Sequence, residues 1–123
     1  MLWVKEIEMK VKTSDLTGAA LDWAVAKCEG CSDSRLNNVG MWCHVRQQGA
    51  FRFSTDWSQG GPIIEREGID LASPNPVYGG WCAMLWSKPQ AKRSGTTPLL
   101  AAMRCYVASK LGDTVEIPDE LGA

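Results

Sequence analysis

A chain of 123 residues is long enough for one domain that buries about two-thirds of its unfolded surface without disulfide staples, and too short for two. Its 13 basic and 14 acidic residues leave a formal charge of -1, which excludes the generally basic surface that extended nucleic-acid binding requires. Lys5, Glu6, Glu8 and Lys10 break up the apolar N-terminus, so no signal-peptide core or membrane span is expected there, and the five cysteines are expected to be reduced in a soluble intracellular protein.

Trp3 to Thr13 alternates, with Trp3, Ile7, Met9 and Val11 on one side, and predicts a strand with one buried face. Ser14 or Thr17 caps the helix that follows; Leu16, Ala20, Trp23 and Lys27 form one row, Leu21, Val25 and Cys28 the next, and Gly30 ends it. Cys31 to Asn38 reads as loop. Met41 to Phe53 reads as a hairpin turning across Gln47 to Gly49.

Ser54 to Ile69 reads as a shaped loop: Gly60 and Gly61 open backbone angles, Pro62 fixes the exit, and Pro62 to Glu67 forms a short helical turn or strand. Ser73 to Gly80 is a turn, Trp81 to Trp86 an apolar strand, and Lys88 to Gly95 a polar, basic and mobile connection. Thr97 and Pro98 start the clearest helix, which carries Leu99, Met103 and Tyr106 on one row and ends at Gly112. Thr114 to Pro118 adds a short strand or covers the core edge. The expected fold is α+β: a small, mostly antiparallel sheet from the first strand, the hairpin and the Trp81 strand, with two main helices on one face.

The polar groups of Ser54, Thr55, Asp56 and Gln59 beside the indole of Trp57 suit a small, flat, polar ligand that stacks and hydrogen-bonds. Turn capping by Ser54 and Asp56, with Trp57 in the core, accounts for the same residue types. Arg104, among alanines and Met103, needs a partner: Asp56 or Glu65 within the fold, or a phosphate or carboxylate on a ligand. The candidate ligand-binding set is therefore Ser54, Thr55, Asp56, Trp57, Gln59, Gly60, Gly61, Glu65 and Arg104. Six tryptophans against two Phe and two Tyr suggest indoles at a pocket or interface, although core packing explains most of them.

Cys28-x-x-Cys31 with Cys43 and His44 formally supplies a zinc set, but Cys43 and His44 point to opposite faces of a strand, so no metal is expected. His44 as base with Ser54, Thr55 or a cysteine as nucleophile is the enzymatic alternative; without a Walker loop, nucleophile elbow or GxGxxG fingerprint it ranks below binding. Lys88, Lys92 and Arg93 beside Trp86 are a weak nucleic-acid grip and more simply a solvated loop.

Three blocks, Ser54 to Ile69, Lys12 to Gly30 and Thr97 to Asp113, resemble the NinX family of lambdoid bacteriophages. The resemblance implies a phage accessory protein of unknown reaction in the cytoplasm of a bacterial host. The expected function is non-catalytic binding, with sequestration of a small polar, nucleotide-like host molecule or defence signal as its use. The alternatives are a module that docks on a host protein through exposed tryptophans and, behind it, a hydrolase. No cofactor, membrane or extended nucleic acid is expected as a partner, and a homodimer or higher homo-oligomer is compatible with the sequence.

Overall fold

Helix α3 (Pro98–Leu111) is apolar or small on nearly every side, with Leu99, Ala101, Ala102, Met103 and Cys105 to Ser109 buried, so the fold surrounds it. Thr97 Oγ1 accepts from Leu100 N at 3.1 Å and Pro98 fills the first turn; Gly112, at φ 91°, ends the helix as expected. The computed structural model describes residues 8–30, 34–37, 40–43, 50–74, 76–77, 79–118 and 121, with backbone only for residues 8, 34–37, 40–43 and 50.

Helix α1 (Gly18–Cys28) lays Ala20 and Ala24 into the interior, and small side chains there let it approach α3 closely. Gly30 follows its end at φ 95°. A third helix, α2 (Trp57–Glu67), replaces the loop expected after Ser54. Asp56 caps it by accepting from Ser58 N at 2.9 Å, and Gly68 stops it in the left-handed region at φ 72°. Gly60, Ile63, Ile64 and Glu67 give the spacing of one helical face, with Gly60 and Ile63 buried. Pro62 removes one backbone donor, but it and Ser58, the residue whose carbonyl loses that bond, are both exposed.

The α+β class holds, and among the described residues the strands form three small antiparallel sheets in place of the single one expected. Strand β1 (Glu8–Lys12) pairs with β8 (Thr114–Pro118), setting Met9 against Ile117 and Val11 against Val115. Strands β2 (Ser34–Asn37), β3 (Gly40–Cys43) and β4 (Ala50–Phe51) form the second sheet, so part of the expected Cys31 to Asn38 loop is strand. The Gln47 to Gly49 turn and the start of the Trp3 strand lie outside the described residues.

The third sheet joins β5 (Asp70–Ala72), β6 (Trp81–Leu85) and β7 (Lys88–Gly95). Lys88 to Gly95 is thus a strand and no mobile connection: its Ala91 is buried, Lys88 Nζ donates to Ser109 O at 2.8 Å, and Arg93 pairs with Asp113 at 2.8 Å. Helix α3 packs chiefly on β6 and β7, α1 packs on α3 and the second sheet, and both helices also meet β8.

Candidate functional site

The nine residues singled out from sequence fall into two places. Ser54 is buried and its N–H donates to Asp22 Oδ1 at 2.9 Å. Burial pushes the Asp22 carboxyl up, against the opposing hydrogen bonds from Ser54 and the field of Arg52. Asp56 accepts from both Ser58 N and Ser58 Oγ, which hold its carboxyl below the usual range. Gln59 Oε1 accepts from Arg52 N at 2.7 Å.

Gly60 is helical, and a Cβ there would lie 2.5 Å from Phe53 O and 2.6 Å from Leu99 Cδ1, so it lets α2 seat against α3. A Cβ on Gly61 would meet Trp57 Cε3 at 3.7 Å, an ordinary contact, and Thr55, Trp57 and Glu65 are exposed. Cap, tether and seat for α2 thus occupy Ser54, Asp56, Gln59 and Gly60.

Arg104 stands apart from them. It lies four residues beyond Leu100, on a different side of α3 from Leu99, which meets Gly60. Its Nε donates to Leu16 O at 2.7 Å and its Nη1 to Ser94 O at 2.9 Å. Neither Asp56 nor Glu65 is its partner; both acceptors are neutral carbonyls, and Asp15 contributes only a field. Burial lowers its pKa, partly offset by Asp15, yet a guanidinium remains charged throughout the physiological range.

Beside this guanidinium opens a cavity of about 410 Å3, lined also by Thr17, Gly80, Ser94, Gly95 and Thr96. Glycines shape its walls for a steric reason. A Cβ on Gly80 would come within 2.7 Å of Gly95 O, and one on Gly95 within 2.8 Å of Ala101 N. Thr17 occupies the cap position of α1, but its hydroxyl makes no capping bond. The cavity therefore gathers a cation, three hydroxyl-bearing residues and closely approaching backbone, a set suited to an anionic oxygen group. Sequence reasoning found Arg104 and missed the rest, because Gly79-Gly80 read as the end of a turn and Ser94-Gly95 as the end of a polar connection, and the two segments meet through the Trp81–Gly95 pairing of β6 and β7.

A second polar cluster ties the three helices together. Arg66 grips Glu29 with two nitrogens at 3.2 and 2.7 Å, Tyr106 Oη donates to Glu29 Oε2 at 2.5 Å, and Arg66 Nε meets Glu67 at 2.9 Å. Burial and Glu29 raise the Tyr106 phenol, and Glu29 and Glu67 raise Arg66, the pattern of a closed structural pair. Cys28 nearby is pushed up to about 12, by burial first and Glu29 second. Among the described residues no group of three metal-ligating side chains occurs; Cys31 and His44, and the side chain of Cys43, lie outside them, as does the expected base of the enzymatic alternative.

Residues 12–110 match the family model described as Bacteriophage P22, NinX. The chain belongs to the NinX family. The matched span carries α1, α2, the third sheet and α3 to Lys110, and so every cavity residue from Thr17 to Arg104 as well as the Ser54 to Glu65 segment. Most of β1, and all of β8, fall outside it. A comparison with curated proteins gives no match. Among the described residues of this NinX-family chain, no helix is long and apolar enough to cross a membrane.

Proposed function

We propose that this NinX-family chain is a non-catalytic binding protein for a small polar molecule, held by an anionic group in the Arg104 cavity. The observation that carries this reading is a half-buried guanidinium whose hydrogen bonds among the described residues go to two neutral carbonyls, at the wall of a cavity lined by Thr17, Ser94 and Thr96. An arginine held this way keeps its charge for a ligand and is already fixed in orientation, which lowers the entropic cost of binding. Among the described residues the lining offers hydroxyls and one cation, with no carboxylate, imidazole or thiol to move a proton, and this favours holding over turnover. A nucleotide phosphate fits the set; the base-stacking role expected for Trp57 is not part of it, because Trp57 does not line this cavity. In a phage family, sequestering a host metabolite or defence signal in the bacterial cytoplasm is the use such a protein serves.

A thermal-shift screen over phosphorylated and carboxylated metabolites tests the reading. At least one should raise the melting midpoint, and Thr17→Val, which leaves the Leu16 and Ser94 bonds of Arg104 in place, should weaken that ligand. A screen without hits, or hits indifferent to both Thr17→Val and Arg104→Lys, contradicts it. The exposure of Trp57, 52%, favours a second reading in which the first turn of α2 docks on a host protein. Trp57→Ala would then abolish capture of one stoichiometric host polypeptide while leaving metabolite binding unchanged.

A further inference from the structure

The third sheet has two faces, and α3 accounts for one of them, where Ala83, Leu85 and Ala91 are buried. Pairing sets Asp70 opposite Met84 and Ala72 opposite Cys82, and alternation turns these residues to the face away from α3. There a groove of about 340 Å3 runs past Asp70, Ala72, Met84, Trp86 and Lys92. Trp86 is 70% exposed, an unusual state for so large an apolar ring. It is not swinging free: its indole N–H donates to the Asp70 carboxylate, which fixes the ring over the groove. An indole already held in one orientation loses little freedom when a partner covers it.

The charges on this face are arranged with a definite handedness. Asp70 lies on one edge strand, β5, Lys92 on the other, β7, and Met84 on the central strand, β6, between them. Two strand spacings separate acid from base by about 10 Å. A second copy turned over by a two-fold axis along β6 brings its Lys92 onto the first copy's Asp70 and its Asp70 onto the first copy's Lys92. The same operation sets Met84 on Met84 and Trp86 beside Trp86, with strands aligned as in ordinary sheet-on-sheet packing. A two-fold interface requires a patch complementary to itself, and an acid and a base on opposite sides of an apolar centre meet that requirement.

We propose that the outer face of the β5–β6–β7 sheet joins two copies of this chain, with Trp86 and Met84 at the centre and reciprocal Asp70–Lys92 pairs at the sides. The surface is distinct from the Arg104 cavity and shares no lining residue with it. The test is the mass of the full chain by light scattering and sedimentation across a concentration series, for wild type and for charge exchanges of verified fold. Wild type is expected to weigh as two copies. Asp70→Lys alone sets lysines against lysines and Lys92→Asp alone sets acids against acids, and each is expected to give one copy. Combining both changes in one chain, or mixing the two single variants, is expected to restore the pair, and Trp86→Ser to weaken it at least tenfold. A wild type of one copy at every concentration, a dimer indifferent to the single changes, or single-change losses that neither the combination nor the mixture restores would overturn the proposal, as would a host polypeptide occupying this face instead.

Discussion

Replacing Gly60 by alanine isolates the seating of α2 on α3. A helical interior gains about 1 kcal/mol on Gly→Ala from backbone entropy. Against this, the new methyl would sit 2.5 Å from Phe53 O and 2.6 Å from Leu99 Cδ1. Leu99 can turn, but the Phe53 carbonyl belongs to a turn pinned by Thr55 N and Asp56 N, both donating to Arg52 O. Relief therefore requires α2 to lift, and overpacking of this kind costs ~3 kcal/mol at the upper end of its range. The net expectation is a loss of about 2 kcal/mol. Gly61→Ala is the matched control: its nearest neighbour would be Trp57 Cε3 at 3.7 Å, an ordinary contact, so it should keep most of the ~1 kcal/mol helix gain. Urea unfolding followed by far-ultraviolet circular dichroism should separate the two midpoints by on the order of 1 M. Equal midpoints, or a more stable Gly60→Ala, would refute the reasoning and return the Gly-Gly pair to a loop role.

Burial raises the Asp22 carboxyl, so the native state holds its proton to higher pH than the unfolded chain; stability is lost as pH rises through the folded pKa and regained on acidification. Asp22→Asn keeps an acceptor for Ser54 N and should be at least as stable as wild type at neutral pH with a flatter acid-side profile, whereas Asp22→Ala orphans that buried N–H at about 1–3 kcal/mol. Tyr106→Phe deletes the bond to Glu29 and should cost ~1–2 kcal/mol by denaturant titration, with Arg66 still holding Glu29. Burial lifts the Cys28 thiol to about 12 and the Cys105 thiol to about 11, so site-resolved alkylation at mildly alkaline pH should spare both until the protein is unfolded.

The elements whose signals are local were readable from residue order. Thr97-Pro98 and Gly112 frame α3, and the alanine rows of α1 describe a helix that packs closely. Two elements were hidden by their polar or turn-forming residues. Gly-Gly-Pro in α2 obscured the Asp56 cap, the Ile63–Ile64 face and the Gly68 stop, which together specify a helix. In β7 the run of Lys88, Gln90, Lys92 and Arg93 looked like a solvated connection, because the interactions that hold it, Lys88 on Ser109 and Arg93 on Asp113, cross to segments distant in sequence. Core packing was expected to account for most tryptophans, yet of the four whose side chains are described Trp57 and Trp86 are exposed and Trp23 and Trp81 only half-buried. Arg104 was recognisable as a cation needing an acceptor, but its neighbours Thr17, Gly80 and Gly95 come from three segments that only the fold assembles.

The most direct test of the binding account is native mass spectrometry of the chain purified gently from bacterial cells, followed by denaturing release and identification of what it carries. The account predicts a stoichiometric small molecule with a phosphate or carboxylate group, retained by wild type and depleted in both Thr17→Val and Arg104→Lys. A protein that stays empty even after exposure to a bacterial metabolite extract, or a ligand carried equally by both variants, would contradict it.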